Sequence, residues 1–545
     1  MKKYLWVILF LIALILRMFM LGGAPFSVAN DELSYIYSAY SIWIMHGFDI
    51  TGKFLPISIN LDSSLSPVPV YLISPFVGIL GLSAFSGRLI FAILGSLSVV
   101  FIYLLAFEIF NNKKVAFLSG LVLAFSPWHI AVSRTAWDGE MALFFYLVGV
   151  FIFIRNLRKN KNINWSIPFF LLGFYSYHAT KVFYLGFVIF AVIYLWNILK
   201  NKKQIYTFIV LNLLIFASFL LVMKFQNVTR QESIIFDDRN ALTSITQNVN
   251  KQRSQSSAPP IVSDVFINKA GSIFNIMAAN YLGAFSPEFL FTIGDHNPIN
   301  AYGYFQKGMM YLIDAPFLLL GLIYSFQKLK KDKRIFLIAL FLLAPLPAIL
   351  GYQTSYIIRG IMLLIPLSIT TGFGLFIFIN FIKTQKLINR NIIYFSLFIV
   401  YLIFVSKFIF SYYFQMNYFG SEYFDGSSRT LSLLIEKNYS KYSHFYVVTS
   451  DDHVILQYAF WNKINPEIIQ KLWPFKEKDI TIGKTTFLNS CFGNSIDSPY
   501  KVMPKNSMYI VYVLDGSCYN KPYPGPKIVD PMEPLRTIYN VYEKN

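Results

Sequence analysis

The feature that most constrains this chain is a series of apolar runs, each about 18 residues or longer, separated by short clusters of Lys and Arg. A helical run of that length matches the hydrocarbon thickness of a bilayer, so each is a candidate membrane span. Only 14% of the 545 residues are charged, whereas a soluble protein carries about a quarter. The fold class that follows is an α-helical polytopic membrane protein. Its 47 Lys+Arg outnumber 28 Asp+Glu, but the bases lie at Lys113-Lys114, Arg155–Lys161, Lys200–Lys203, Lys328–Arg334 and Lys383–Arg390, between apolar runs. That is the pattern of cytoplasmic loops under the positive-inside bias, and it argues against a nucleic-acid partner.

Met1–Leu21 reads as the first span, with Lys2-Lys3 keeping the amino end inside; the apolar run is long, and no convincing cleavage site follows it. A first loop over 22–84 contains Glu32–His46, expected as an interfacial amphipathic helix, and the turn-rich Gly47–Pro69. Val70–Leu82 is short and flanked by Pro67, Pro69 and Pro75, so an interfacial or re-entrant segment is expected there. Later spans are expected at about 85–110, 115–133, 141–158, 163–180, 182–199, 204–223, 310–327, 335–352, 360–382 and 392–413. Leaving Val70–Leu82 out puts every basic cluster on the side of Lys2-Lys3 and gives roughly eleven spans.

Two regions then face outside the cell: a long polar loop over 224–309, and the segment 414–545, which is soluble in character. In the latter, Phe445–Thr449 and Met508–Leu514 read as buried strands and Ile464–Leu472 as a short helix, giving a small extracytoplasmic α/β domain after a transmembrane domain over 1–413. Cys491 and Cys518 lack zinc-site spacing, and export makes a disulfide between them plausible.

Ionisable groups near membrane depth are functional hypotheses by default, and the span count places four constellations on the outer face. Asp31-Glu32 offers acid/base chemistry at the membrane surface, or else caps the helix that follows. Asp138 and Glu140, in Ser133-Arg134-Thr135-Ala136-Trp137-Asp138-Gly139-Glu140, cap the next helix, pair with Arg134, bind a cation or orient the first pair. In Tyr175-Ser176-Tyr177-His178-Ala179-Thr180-Lys181, His178 and Lys181 contact a phosphate, or Lys181 only snorkels. Arg359 presents a fork of donors matched to phosphate oxygens, or serves as a helix-end anchor.

Together these motifs resemble the bacterial branch of the dolichyl-phosphate-mannose protein mannosyltransferase-like (aminoarabinose transferase-like) family of C-type integral-membrane glycosyltransferases. The resemblance covers about residues 1 to 410. It rests on Asp31-Glu32, Gly47-Phe48-Asp49 to Gly52 and Pro56, Ser133-Arg134 to Asp138, Tyr175 to Lys181, Phe285-Ser286-Pro287 with Gly294-Asp295, and Arg359 with Pro366. It implies transfer of a sugar from a polyprenyl-phosphate donor to an acceptor protein, lipid or glycan outside the membrane. It carries the general-base role to Asp31, matches Glu32 and Asp138 to the neighbouring and second-loop acids, and sets Arg359 against the lipid phosphate. Arg134, Glu140, Tyr177, His178, Lys181 and Asp295 join the expected substrate-binding set. No cofactor is required; a divalent cation remains compatible, with Asp31, Asp138 and Glu140 as its ligands. The Trp-Trp-Asp signature expected of oligosaccharyltransferases is absent.

A displacement with Asp31 as base predicts inversion at the anomeric carbon. The alternatives are a flippase or transporter of lipid-linked sugars, or an inactive membrane scaffold. Transporters often show matching halves, and no internal repeat is evident here.

Overall fold

The computed structural model describes residues 4–60, 64–199, 202–226, 235–236, 239–295, 307–352, 356–385, 389–421, 423–449, 451–475, 478–492, 498–512, 518, 526–529 and 536–544. Among the described residues, six helices are each long and apolar enough to cross a membrane: Ala84–Phe110, Asp138–Arg158, Thr180–Ile198, Lys203–Lys224, Ile361–Thr384 and Arg390–Tyr418. Shorter apolar helices are Leu5–Met18, Pro67–Leu80 and Ile163–Phe174. The polytopic helical fold expected from the apolar runs is therefore present.

Several expected spans are shorter than their hydropathy implied. The run 115–133 divides into Lys113–Phe125 and Pro127–Val132. Pro127 has no N–H to continue the first helix, and the Ser126 hydroxyl restarts the second by accepting from the His129 amide at 3.3 Å. The run 335–352 likewise divides into Lys331–Leu343 and Leu346–Ile349 beside Pro345 and Pro347. The described residues of the long polar loop include helices Arg239–Ser254, Pro260–Phe266 and Lys269–Gly283.

The chain forms two compact units. The first comprises Met1–Phe19, Ile57–Pro69 and Phe91–Ile409. Its centre is Leu364–Thr384, whose residues Leu364 to Leu375 are all buried. Gly372 sits so close to the backbone of Ser119 that a Cβ would collide with it, the small-residue contact by which apolar helices approach each other. A short hairpin pairs β1 (Ile59–Asn60) with β2 (Ser64–Leu65).

The second unit comprises Met20–Pro56, Val70–Ile90 and Phe410–Asn545. Its sheet has the order β4-β5-β3-β6-β8-β7, from β3 (His444–Val448), β4 (Ile480–Ile482), β5 (Thr485–Leu488), β6 (Ser507–Tyr512), β7 (Lys527–Val529) and β8 (Thr537–Lys544). Strands β5, β3 and β6 are mutually parallel, and β4, β7 and β8 pair antiparallel at the flanks. Helices Gly426–Asn438, Asp452–Trp461 and Pro466–Leu472 accompany the sheet. Cys491 and Cys518 form a disulfide with Cα atoms 5.6 Å apart. The expected α/β character of this region is thus observed.

One helix departs from its sequence reading. Asn30–Ile44 is buried along most of its length, including Glu32 to Ala39, Ser41 and Ile42, rather than lying with one face in the bilayer interface. Its Ser, Tyr and Ala side chains are small or amphipathic enough to be enclosed by protein. At Gly87, an added Cβ would collide with Ile36, so the helix is held by close approach as well as by its apolar face.

Candidate active site

In the second unit, adjacent carboxylates have opposite environments. Asp31 is exposed on the first turn of Asn30–Ile44, where the helix dipole favours a negative charge. Glu32 is fully buried and forked onto Arg88: Nε donates to Oε1 at 2.7 Å and Nη2 to Oε2 at 2.8 Å. Arg88 also donates to the carbonyls of Leu21 at 3.2 Å, Pro25 at 3.0 Å and Ser27 at 2.6 Å. All five guanidinium donors therefore have acceptors, and the loop before Asp31 is wrapped around one buried cation. Farther along the first loop, buried Asp49 uses Oδ1 to accept from the Thr51 amide and hydroxyl and the Lys53 amide, at 2.8–2.9 Å.

In the first unit, Arg134 is buried, and its Nη1 donates to the carbonyls of Leu16 at 3.3 Å, Arg17 at 2.6 Å and Phe19 at 2.6 Å. These are carbonyls that the end of helix Leu5–Met18 leaves without an intrahelical partner, so Arg134 caps that helix. Asp138 opens helix Asp138–Arg158 and is 2% exposed. Glu140 belongs to a buried chain. Arg17 Nη2 lies 2.6 Å from His129 Nδ1, and His129 Nε2 lies 3.1 Å from Glu140 Oε1. Since arginine only donates, Nδ1 accepts, and the geometry assigns the proton to Nε2, facing Glu140. The Ser98 hydroxyl also reaches Glu140 Oε1, at 3.4 Å.

At the next turn, Lys181 Nζ lies 3.0 Å from His178 Nδ1 and sits 5.3 Å and 4.6 Å from the ring centres of Phe174 and Phe219. Such cation–ring contacts hold an ammonium without neutralising it. His178 and Lys181 line a recess of about 270 Å³, open mouth included, with Ser58, Ser66 and Pro67 on its wall. Arg359 ends the short helix Tyr356–Arg359. That turn is fixed from two sides: Asp295 Oδ2 accepts from the Ile357 amide at 3.3 Å, and the Trp128 indole donates to the Ile357 carbonyl at 2.8 Å. A Cβ on Gly139 would lie 3.7 Å from Ile361 and 3.8 Å from Tyr177. Gly139, next to Asp138, therefore packs against Tyr177 and against Ile361, which lies two residues beyond Arg359, and Asp295 is bonded to the turn that carries Arg359.

Sequence reasoning missed Arg88, Arg17 and His129. Arg17 and Arg88 carried a signal, since each is a cation inside or beside an apolar run. His129 carried none beyond its Pro-Trp-His context. Among the described residues, no three His, Cys, Asp or Glu side chains gather closely enough to hold a metal ion.

The arrangement of apolar helices with a small α/β domain has its like among solved structures. Residues 64–221 match the family described as dolichyl-phosphate-mannose-protein mannosyltransferase, a stretch inside the part of the chain over which the motifs carry the resemblance. The chain is similar in structure to ArnT from Cupriavidus metallidurans bound to undecaprenyl phosphate, with a TM-score of 0.50 and 12% identity over 98% of each chain. The oligosaccharyltransferase AglB from Archaeoglobus fulgidus, in complex with an inhibitory peptide and a dolichol-phosphate, gives a TM-score of 0.49 at 13% identity, over 95% of this chain and 70% of that one. No curated protein matches the chain in sequence.

Proposed function

We propose that this protein is a membrane glycosyltransferase that moves a sugar from a polyprenyl-phosphate donor to an acceptor hydroxyl or amine on the extracytoplasmic side, with inversion. The observation that carries the reading is the contrast at Asp31-Glu32. Glu32 is occupied by Arg88, while Asp31 stands exposed on a helix whose entry is rigidly bonded. A general base needs that combination of access and fixed position. In this reading Glu32 acts on catalysis through the position of Asp31, and Asp138 is the second-loop acid.

Arg359, Lys181 and His178 supply positive charge and donors to the phosphate as it leaves, the kind of electrostatic assistance that contributes most in a water-poor site. Arg134 and Glu140 support their neighbours, Asp295 holds the turn that carries Arg359, and Tyr177 joins the substrate-binding set. The undecaprenyl phosphate bound to ArnT supports a polyprenyl-phosphate donor. The Cys491–Cys518 disulfide supports an oxidising, extracytoplasmic location for the C-terminal domain, and Lys2-Lys3 before the first apolar run support a cytoplasmic amino terminus. The proposed mechanism routes no step through a metal.

The test is transfer in detergent, where no second compartment exists. Purified protein is given tritiated polyprenyl-phosphate-linked mannose, glucose or aminoarabinose and an envelope extract as acceptor. Label appearing on acceptor with wild type but not with Asp31→Ala supports the proposal. A flippase gives no transfer at all, and undiminished transfer by Asp31→Ala removes Asp31 from the chemistry.

A further inference from the structure

Within the second unit, side chains from the C-terminal segment bond the backbone of the first loop on both sides of Asp31. Upstream, Asn417 Nδ2 donates to the Gly23 carbonyl at 2.8 Å, Arg429 Nη1 to that of Phe26, and Gln457 Nε2 to that of Val28 at 2.8 Å. The Ser27 hydroxyl donates in turn to the Asp425 carbonyl at 3.3 Å. Downstream, the Tyr37 hydroxyl donates to the Ile464 carbonyl at 3.0 Å and Gln470 Nε2 donates to the Asp49 carbonyl at 3.1 Å.

Two of these residues are held especially firmly. The Arg429 guanidinium lies between the rings of Phe26 and Trp461, 4.1 Å and 4.4 Å from their centres. Gln457 is fully buried, and its Oε1 accepts from the Trp461 indole at 2.9 Å, which fixes the amide so that its N–H₂ points at Val28. Val28 immediately precedes Ala29, the residue that caps the helix carrying Asp31.

We infer that the C-terminal domain is a brace for the first loop, and that Gln457 and Arg429 are positioning residues for Asp31. This rests on Asp31 being the base. A soluble domain that only recruited an acceptor would have no need to bond main-chain carbonyls of a loop that precedes it by about 400 residues in sequence. A base, by contrast, loses rate steeply when displaced; a shift of about 1 Å can cost around 100-fold. The brace makes sugar transfer depend on the folded state of the C-terminal domain.

The experiment uses the full-length protein with Gln457→Leu, Arg429→Ala and Arg429→Lys. Two readouts are taken: amide hydrogen exchange over residues 26–33, and kcat and KM for whichever labelled polyprenyl-phosphate sugar the wild type uses. Expected are faster exchange confined to 26–33 and a kcat about 10- to 100-fold lower, with donor KM nearly unchanged. Arg429→Lys should recover part of the rate, because it keeps a cation between the rings but lacks the planar fork. Folded variants with wild-type exchange and wild-type kcat overturn the inference. If Arg429→Ala or Gln457→Leu does not fold, Asn417→Ala and Gln470→Ala carry the same two readouts at the rim of the contact. If the wild type transfers no sugar, the glycosyltransferase reading fails by itself, and the exchange data still decide whether the brace exists.

Discussion

The Glu32–Arg88 pair gives the sharpest quantitative expectation. Both side chains are fully buried, so truncating one partner leaves a charge without its counter-charge inside protein. That situation destabilises by about 3–5 kcal/mol, and at roughly 2 °C per kcal/mol for a large domain the thermal midpoint should fall by about 6–10 °C. The two single variants should not be equal. Glu32→Met leaves Arg88 bonded to the carbonyls of Leu21, Pro25 and Ser27, whereas Arg88→Met strands those carbonyls along with the carboxylate. Arg88→Met is therefore the worse of the pair. The double variant Glu32→Met, Arg88→Met removes both charges and should be more stable than the sum of the single losses by about 1–3 kcal/mol. Thermal unfolding of the detergent-solubilised protein, followed by intrinsic fluorescence, measures all four corners of the cycle. Additivity within about 0.5 kcal/mol, or single variants as stable as the wild type, would refute a buried, mutually compensating pair.

Asp31→Asn should shift the thermal midpoint by less than about 2 °C, since exposed substitutions are usually within 0.5 kcal/mol, yet abolish transfer; a large loss of stability would reassign Asp31 to the fold. Lys181→Ala and Arg359→Ala should each slow transfer, and Arg359→Lys should restore only part of it, because a point charge does not match a phosphate as a fork does; equal rates for the Lys and Arg forms would remove the bidentate contact. Burial holds the Asp425 carboxyl above the ordinary carboxylate range, with the Ser428 hydroxyl bond pulling the other way. The folded state thus binds that proton more tightly than the unfolded chain, so this group's contribution is greatest below about pH 4 and is lost as pH rises to its folded pKa. The midpoint of Asp425→Asn relative to wild type should accordingly climb between pH 4 and 7; a flat difference contradicts the shift. Transfer should survive prolonged chelation with EDTA, measured by label on acceptor, and the product should carry the anomeric configuration opposite to that of the donor.

The sequence by itself determined the class of fold. Apolar run length and the placement of Lys and Arg are local properties, and they located helices such as Ala84–Phe110 and Asp138–Arg158 within a few residues. Short apolar runs likewise located the strands β3 and β6, read as buried strands over Phe445–Thr449 and Met508–Leu514, the last two residues of which lie outside those described. Helix ends at Ser126-Pro127 and around Pro345 were less legible, because hydropathy averages across a proline while the hydrogen-bond ladder stops there. The acid pair was visible as an oddity after the first span, but its division of labour was not. Glu32 and Asp31 are neighbours with the same chemistry, and only folding buries Glu32 against Arg88, 56 residues on, while Asp31 is left exposed. The same holds for Arg134 on the end of the first helix, for His129 between Arg17 and Glu140, and for Gln457 on the carbonyl of Val28. Periodicity reports which face of an element is apolar. Which charged side chain meets which partner depends on distances that exist only after the elements have packed.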